Sequence, residues 1–172
     1  PTDAEQPSTE EELRIKHGKH ENYGVLSTPD NDQKRHPIVI VSHGFNGTHH
    51  HGRNYFKMLN ELGYMCYAFD FPCGGTGSRT DNNTVNMSVP DEQKTLEAIV
   101  RYFKSRPDVD KKNIVLLGES QGGLISALTA ARMKKDIRKL VLLFPALCIP
   151  DDWNSRYPQV TDIPDTTRIW QV

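Results

Sequence analysis

The chain has 172 residues, of which 36% are hydrophobic and 25% are charged, and its formal net charge is −1 at pH 7. This length and composition predict one globular domain with a hydrophobic core of its own. The near-neutral charge offers no electrostatic basis for binding nucleic acid or an anionic membrane surface, so we expect neither as a partner.

The N-terminal part of the chain predicts a flexible lead-in followed by an antiparallel hairpin. Residues 1–12 are rich in Pro, Glu, Thr and Ser, which is typical of a loosely attached segment. Residues 12–17 alternate polar and apolar side chains and residues 23–28 form a second strand-like run, so these two segments predict paired antiparallel strands. Residues 38–41 are an uninterrupted β-branched run, which is typical of a strand in a sheet that helices cover on both faces.

The middle of the chain predicts helices that alternate with strands. Apolar residues at helical spacing predict a helix at about residues 54–62, and a strand is expected at residues 64–69. A long polar loop over residues 70–89 then leads to a second helix, which Pro90 begins. In the first helix Tyr55, Met58, Leu59 and Leu62 lie at helical spacing, and in the second Leu96, Ile99, Val100 and Phe103 share one face.

Ser120 lies in the most informative segment, the sequence Gly-Glu-Ser-Gln-Gly-Gly at residues 118–123. An apolar strand-like run precedes this segment at residues 113–117, and an Ala/Leu-rich helical run follows it at residues 124–131. A Gly-x-Ser-x-Gly sequence between strand and helix is the nucleophile elbow, whose glycines permit a strained turn that exposes the serine hydroxyl. We interpret Ser120 as a nucleophile, the alternative being an ordinary glycine-rich turn between strand and helix.

A serine nucleophile that attacks a carbonyl needs hydrogen-bond donors for the oxyanion that forms. The backbone N–H of Gln121 is one candidate, because it lies at the start of a helix, where the dipole favours negative charge. A second donor is expected from the loop that begins at His43, where Phe45 would donate and Gly44 would let the backbone approach closely. A plain turn between strand and helix is the alternative for this loop.

Residues 140–144, from Leu140 to Phe144, predict a further buried strand that Pro145 ends. Strands and helices in this alternation predict an α/β fold, a mostly parallel sheet with helices on both faces and the antiparallel hairpin at its N-terminal end. The core domain is expected to cover residues 13–145. From Pro145 to Val172 the pattern gives way to Pro, Asp and scattered aromatic residues.

The elbow and the loop at His43 together resemble the α/β-hydrolase superfamily, over about residues 12–150. Residues 70–78 resemble the D-x-x-G-x-G-x-S loop of that fold, and the G-x-S-Q-G-G form of the elbow resembles the feruloyl/cinnamoyl esterase branch of bacterial carboxylesterases. The resemblance implies a serine esterase that acts through an acyl-enzyme at Ser120, on hydroxycinnamoyl or other small esters. It implies no metal and no organic cofactor.

In that branch a lid is inserted after the strand that follows the elbow helix, so the resemblance implies that residues 146–172 begin a lid. Asp151 and Trp153 are then candidate contacts for a phenolic substrate, as is Gly44 in the oxyanion loop. Asp152 and Tyr157 are weaker candidates of the same kind. An ordinary solvated loop is the alternative for the residues after Pro145.

The histidines limit the catalytic interpretation, because all seven of them precede Ser120. Hydrolases with this elbow place their triad in the chain order serine, acid, histidine. We therefore expect the chain to be truncated before the acid and the histidine, and to be inactive or impaired by itself. His43 is expected to support the oxyanion loop, and the adjacent histidines at residues 49–51 are interpreted as a polar surface loop, not as a metal site.

Further expectations concern partners and compartment. Without the strands that would follow, residues 140–144 would be an open apolar edge, through which we expect self-association. Three cysteines, Cys66, Cys73 and Cys148, favour buried free thiols over a disulfide framework. No apolar run approaches the length of a membrane-spanning helix, and the compartment stays open between bacterial cytoplasm and secretion.

Two other functions remain compatible with the same segments. A non-catalytic interaction module of this fold would keep the elbow as a structural turn and use the open edge as a partner surface. A serine peptidase or acyltransferase would share the acyl-enzyme step with an esterase. Loss of activity in Ser120→Ala separates an enzyme from the module, and competition between ester, peptide and thioester substrates separates the enzymes.

Overall fold

A computed structural model of the chain describes residues 8–18, 20–80 and 86–162. Its strands are β1 (Ser8–His17), β2 (His20–Pro29), β3 (His36–Ser42), β4 (Met65–Phe69), β5 (Val109–Glu119) and β6 (Lys139–Leu143). Its helices are α1 (His49–Arg53), α2 (Phe56–Glu61), α3 (Val89–Ser105), α4 (Gln121–Arg132) and α5 (Ile149–Arg156), with a 3₁₀ turn at Val160–Asp162. In this part of the chain, none of the helices is both long and apolar enough to cross a membrane.

The strands form one sheet in the order β1-β2-β4-β3-β5-β6. β1 and β2 are an antiparallel hairpin, β2 also runs antiparallel to β4, and the remaining neighbours are parallel. The predicted fold class, with its N-terminal hairpin, is therefore confirmed. The lead-in was predicted too long, because β1 begins at Ser8 and residues 8–12 pair with β2. Residues 1–7 of that lead-in lie outside the described residues.

Helices cover both faces of the sheet. α3 and α4 pack on one face of the sheet, and α1 and α2 pack on the other. Successive residues of β5 alternate between the two hydrophobic cores. Ile114 and Leu116 face α3 and α4, whereas Val115 and Leu117 face the opposite side. The four apolar residues predicted to share one face of α3 are all fully buried. This three-layer arrangement explains why the central strands are apolar on both sides.

The helix expected at residues 54–62 is wrong in its start and in its continuity. Helix formation begins at α1, where Thr48 caps the N-terminus. The α-helical hydrogen bonding is interrupted before α2 at residues 54–55, whose N–H groups donate to the carbonyls three residues earlier. Of the apolar residues at helical spacing, Leu59 is buried, whereas Met58 is 50% exposed and Leu62 is 67% exposed. The hydrophobic spacing alone did not reveal this break.

Among the strands that the structure describes, β6 is the outermost on its side of the sheet, where it pairs with β5. The residues predicted to be buried there are partly exposed, because a strand at the edge has one neighbour: Leu140 is 37% exposed and Val141 is 38% exposed. Phe144, directly after the strand, is 74% exposed. The three cysteines form no disulfide; Cys66 is buried and Cys148 is exposed.

Self-association through β6 stays a prediction, which Val141→Lys tests. A charged side chain on an edge strand disfavours pairing with a second chain. The 172-residue wild-type chain is therefore expected to associate as its concentration rises, and the Val141→Lys variant is expected to associate more weakly. Sedimentation velocity over a wide range of protein concentration measures the effect. Met58→Lys is the matched control, since it adds the same charge at an exposed apolar residue of α2. A wild type that remains monomeric, or an equal effect of both variants, would contradict the prediction.

Candidate active site

Ser120 lies at the sharp turn between β5 and α4, with a φ of +50° and a ψ of −118°. A serine in this left-handed region is strained by about 1–3 kcal/mol, and such strain persists only where surrounding contacts fix it. Those contacts come from β6 and the segment after it: the Ser120 N–H donates to the Leu143 carbonyl at 3.1 Å, and the Ser120 carbonyl accepts from the Ala146 N–H at 2.8 Å. The predicted elbow geometry is therefore present, held by the strand beside it.

The glycines of the elbow are required by close backbone approach. A Cβ on Gly122 would lie 2.3 Å from the Ser42 carbonyl oxygen of β3, and one on Gly118 would lie 2.4 Å from the Gly122 oxygen. A Cβ on Gly123 would lie 2.8 Å from the Cβ of Pro145. Any side chain at these positions would push α4 away from the sheet and from the segment that anchors Ser120.

The loop that begins at His43 lies beside the serine, as the sequence predicts. A Cβ built on Gly44 would be 3.1 Å from the Ser120 Cβ and 3.6 Å from its Oγ. Gln121 is the first residue of α4, so its backbone N–H belongs to the positive end of a 12-residue helix. The structure thus brings Gly44 and Gln121 to Ser120; Phe45 follows Gly44 and is 48% exposed. The roles of Phe45 and Gln121 as oxyanion donors, and of Gly44 as a substrate contact, stay predictions.

His43 is engaged within the loop. Its Nε2 accepts a hydrogen bond from the Phe71 N–H at 3.1 Å, so the neutral ring carries its proton on Nδ1, which donates to the Gly44 carbonyl at 2.8 Å. Burial of the ring lowers the pKa of His43 and keeps it neutral. With both nitrogens bonded to backbone groups, the ring supports the loop beside Ser120, which agrees with the expectation from the sequence.

The histidines at residues 49–51 open α1 instead of forming a loop; His50 and His51 are exposed, as the surface interpretation expected, whereas His49 is buried. The backbone N–H and the Nδ1 of His49 both contact Oδ1 of Asp70, at 2.6 Å and 2.9 Å. The other carboxylate oxygen of Asp70 accepts from the Arg79 N–H at 2.7 Å. Asp70 therefore ties the loop after β4 to α1. Among the described residues, no group of three His, Cys, Asp or Glu side chains is arranged to hold a metal ion.

The glycine-rich loop after Asp70 packs directly against the loop beside Ser120. A Cβ on Gly75 would lie 2.0 Å from the Asn46 carbonyl oxygen, and the Gly75 N–H donates to the Gly47 carbonyl at 3.1 Å. Sequence reasoning placed these glycines in a loop resembling that of α/β hydrolases, but it did not predict this contact. The close approach keeps the two loops in one fixed arrangement beside the serine.

The two residues next to Ser120 are held from opposite faces of the sheet, which the sequence analysis missed. Tyr55, between α1 and α2, donates its hydroxyl to the Glu119 carboxylate, and burial raises the pKa of Tyr55 to about 12, so it remains a donor. On the other face the Gln121 side-chain amide donates to Glu92 of α3 at 2.7 Å. Spacing could have revealed Glu92, which lies four residues before Leu96 on the buried face of α3.

The predicted substrate contacts after β6 lie on or near α5. Asp151 and Asp152 are exposed in this helix, whereas the sequence favoured an irregular loop. Trp153 is also within α5, but its side chain lies outside what the structure describes. A role of these residues in binding a substrate therefore stays a prediction.

Known proteins resemble this chain along most of its length. A family model described as "Serine aminopeptidase, S33" matches residues 33–168. A Mycoplasma pneumoniae protein named "Putative esterase/lipase 2" is 27% identical over 113 residues, which are 66% of this chain and 39% of that protein. The chain therefore spans well under half the length of this relative.

Solved structures resemble the fold as well. A structure of Est1E from Butyrivibrio proteoclasticus with ferulic acid bound has a TM-score of 0.74 and 27% identity, and the match covers 83% of this chain and 56% of that one. A hyperthermophilic esterase from the archaeon Pyrobaculum calidifontis has a TM-score of 0.67 at 21% identity, covering 81% of this chain and 44% of that one, which shows the shared fold alone.

Glu92→Gln is expected to change how stability depends on pH. Glu92 is 4% exposed, and burial raises its pKa from the ordinary 4.5 to about 7. The folded protein thus binds this proton more tightly than the unfolded chain, so the stabilisation is complete below pH 4.5 and is lost as the pH rises through 7. A pKa shift of this size corresponds to roughly 3 kcal/mol in the free energy of unfolding. The glutamine variant, always neutral, should escape that loss.

Urea unfolding of wild type and Glu92→Gln at several pH values between 5 and 8 measures this effect. The free energy of unfolding of the variant is expected to gain on that of the wild type as the pH rises. His43 also titrates, but it is present in both proteins, so the difference between them isolates Glu92. Asp91→Asn, at an exposed neighbour, is the control for loss of a negative charge from α3. If the free energies of unfolding of wild type and Glu92→Gln differ by the same amount at every pH in this range, the prediction is refuted.

Proposed function

The chain belongs to the α/β-hydrolase family described as serine aminopeptidase, S33, and from that membership we propose that Ser120 is the nucleophile of a serine carboxylic ester hydrolase. The observation that carries this proposal is the strained Ser120 backbone at the strand–helix turn, with the Ser120 Oγ 3.6 Å from the position of a Cβ on Gly44. A structural turn needs no strained serine beside a second close-packed loop. The name of the Mycoplasma pneumoniae relative agrees with it.

In the proposed reaction, Ser120 Oγ attacks the ester carbonyl carbon while a base takes the hydroxyl proton. The carbonyl oxygen becomes an oxyanion, to which the backbone N–H groups of Phe45 and Gln121 donate. When the intermediate collapses, the bond to the alcohol breaks and the alcohol leaves with the proton. Water then attacks the acyl-enzyme in the same way and releases the carboxylic acid. Loss of one oxyanion donor typically costs about 3–4 kcal/mol of transition-state stabilisation.

The base is proposed to come from residues outside these 172. His43, the histidine of the adjacent loop, has both ring nitrogens bonded to backbone groups, and no histidine follows Ser120. The relatives to which this chain is similar are substantially longer than the part it matches. We therefore propose that the histidine and the acid that activate Ser120 are supplied by further sequence, and that these 172 residues alone are inactive or impaired.

Hydroxycinnamoyl or other small esters are the proposed substrates. The G-x-S-Q-G-G elbow and the likeness to the ferulic acid complex of Est1E support this class. Asp151 and Trp153 of α5 are proposed to contact the phenolic group, because the helix follows the segment that anchors Ser120. A peptidase is the second candidate, which the family's own description favours.

Ser120→Ala is expected to abolish covalent labelling by a fluorophosphonate probe, because the probe reacts with an activated serine hydroxyl. Intact-mass spectrometry of the purified full-length protein, and of the 172-residue chain, measures one added label or none. Ser105→Ala, at an exposed serine at the end of α3, should leave labelling unchanged.

Each outcome of this labelling experiment decides one part of the proposal. A label that persists in Ser120→Ala would refute Ser120 as nucleophile. A full-length wild type that takes no label would favour the interaction module. Labelling of the full-length protein but not of the 172-residue chain is the expected result. Equal labelling of both would contradict the proposal that the activating residues lie outside this sequence.

A substrate panel tests the proposed acyl class. Methyl ferulate is expected to give a kcat/KM at least roughly tenfold above that of a methyl ester of a short aliphatic acid, equivalent to about 1.4 kcal/mol of transition-state binding. An aminoacyl 4-nitroanilide should be a poor substrate. Faster turnover of the anilide would favour the peptidase, and equal rates for the two methyl esters would refute the aromatic preference.

A further inference from the structure

We propose that Glu92 is a positioning residue for the oxyanion site, which it controls through the side chain of Gln121. This inference rests on the proposed function, because it concerns the backbone N–H that would hold the oxyanion. Gln121 Nε2 donates to Glu92 Oε2 at 2.7 Å and also contacts the Met87 sulfur at 3.0 Å. The bond therefore links α3 to the first residue of α4, directly after Ser120.

The surroundings of this bond make it a strong constraint. Gln121 is 6% exposed and Glu92 is 4% exposed, so water does not compete for either partner. Removing the acceptor would leave a buried amide unsatisfied, which is unfavourable. The first turn of α4 is thus fixed to α3 by a bond that the fold cannot easily replace.

The peptide that joins Ser120 to Gln121 needs such an anchor at its second end. Its carbonyl end is held by the Ala146 N–H at 2.8 Å and by the Gly123 and Leu124 N–H groups, at 3.0 Å and 3.3 Å. The N–H at the other end must remain available for the oxyanion. Because the peptide is planar, the direction of this N–H depends on both ends of the unit, the held carbonyl and the Cα of Gln121. The Gln121 side chain, bonded to Glu92, holds the second end.

A misplaced donor affects the transition state more than substrate binding, because the oxyanion exists only during the reaction. Displacement by about 1 Å can lower the rate by roughly a hundredfold. Glu92→Leu, which removes the acceptor, is therefore expected to lower kcat at least roughly tenfold with little change in KM. Glu92→Gln keeps an acceptor oxygen of the same shape and should retain kcat within about threefold.

Glu97→Leu is the matched control in the same helix. Glu97 is also buried, and it joins α3 to the far end of α4 through Arg132 at 3.5 Å. Its removal weakens the same helix pair but leaves the first turn of α4 in place. It should therefore lower stability while kcat stays within about twofold. This comparison separates positioning of the oxyanion donor from a general loss of packing between α3 and α4.

The assay uses hydrolysis of 4-nitrophenyl acetate by the full-length protein, a substrate whose turnover does not depend on an aromatic acyl group. The expected result is a loss of kcat in Glu92→Leu that Glu92→Gln and Glu97→Leu do not share. An unchanged kcat in Glu92→Leu, or an equal loss in Glu97→Leu, overturns the proposal. If Glu92→Leu does not fold, a large loss of kcat in the folded Glu92→Gln overturns it as well.

Hydrogen exchange separates failure of this inference from failure of the esterase proposal. Exchange at the Gly123 and Leu124 amides, which close the first turn of α4, is expected to accelerate at least roughly tenfold in Glu92→Leu and not in Glu97→Leu. Equal exchange in the two variants overturns the positioning role whatever the activity. Hydrolysis that persists in Ser120→Ala would overturn the esterase instead and leave the exchange result unaffected.

Discussion

The strained backbone of Ser120 is the feature on which the rest of the site depends. A φ of +50° at a serine persists only because hydrogen bonds fix the peptide on each side, to Leu143 and from Ala146. Both partners belong to β6 or to the segment after it, so the edge strand of the sheet directly supports the turn. This explains how a short, partly exposed strand can matter to the candidate nucleophile as much as the core strands do.

The second constraint is that elements on both faces of the sheet converge on this turn. Tyr55, between α1 and α2, bonds to Glu119, whereas Glu92 on the opposite face bonds to Gln121. The residues before and after the serine are therefore fixed by separate layers. The half-buried Ser120 lies between two anchored neighbours because the three-layer fold brings the helices within reach of the carboxyl ends of the parallel strands.

Close approach and buried charge organise the loops around the serine. Gly75 lets the loop after β4 contact the loop that carries Gly44, and Asp70 ties the same loop to α1 through His49. A buried carboxylate is stable there because each of its oxygens accepts at least one hydrogen bond. The loops beside Ser120 thus gain a fixed arrangement without a metal-binding cluster in the described part of the chain.

The sequence by itself determined the local features: the hairpin, the β-branched central strands, the buried face of α3 and the elbow around Ser120. Each depends on residue order over a few positions, where hydrophobic period and glycine sterics act. Only the tertiary structure decided the long-range pairs, such as Glu92 with Gln121 and Asp70 with His49, and the break between α1 and α2. Such contacts join residues far apart in the chain, and their energy depends on packing that no local pattern contains.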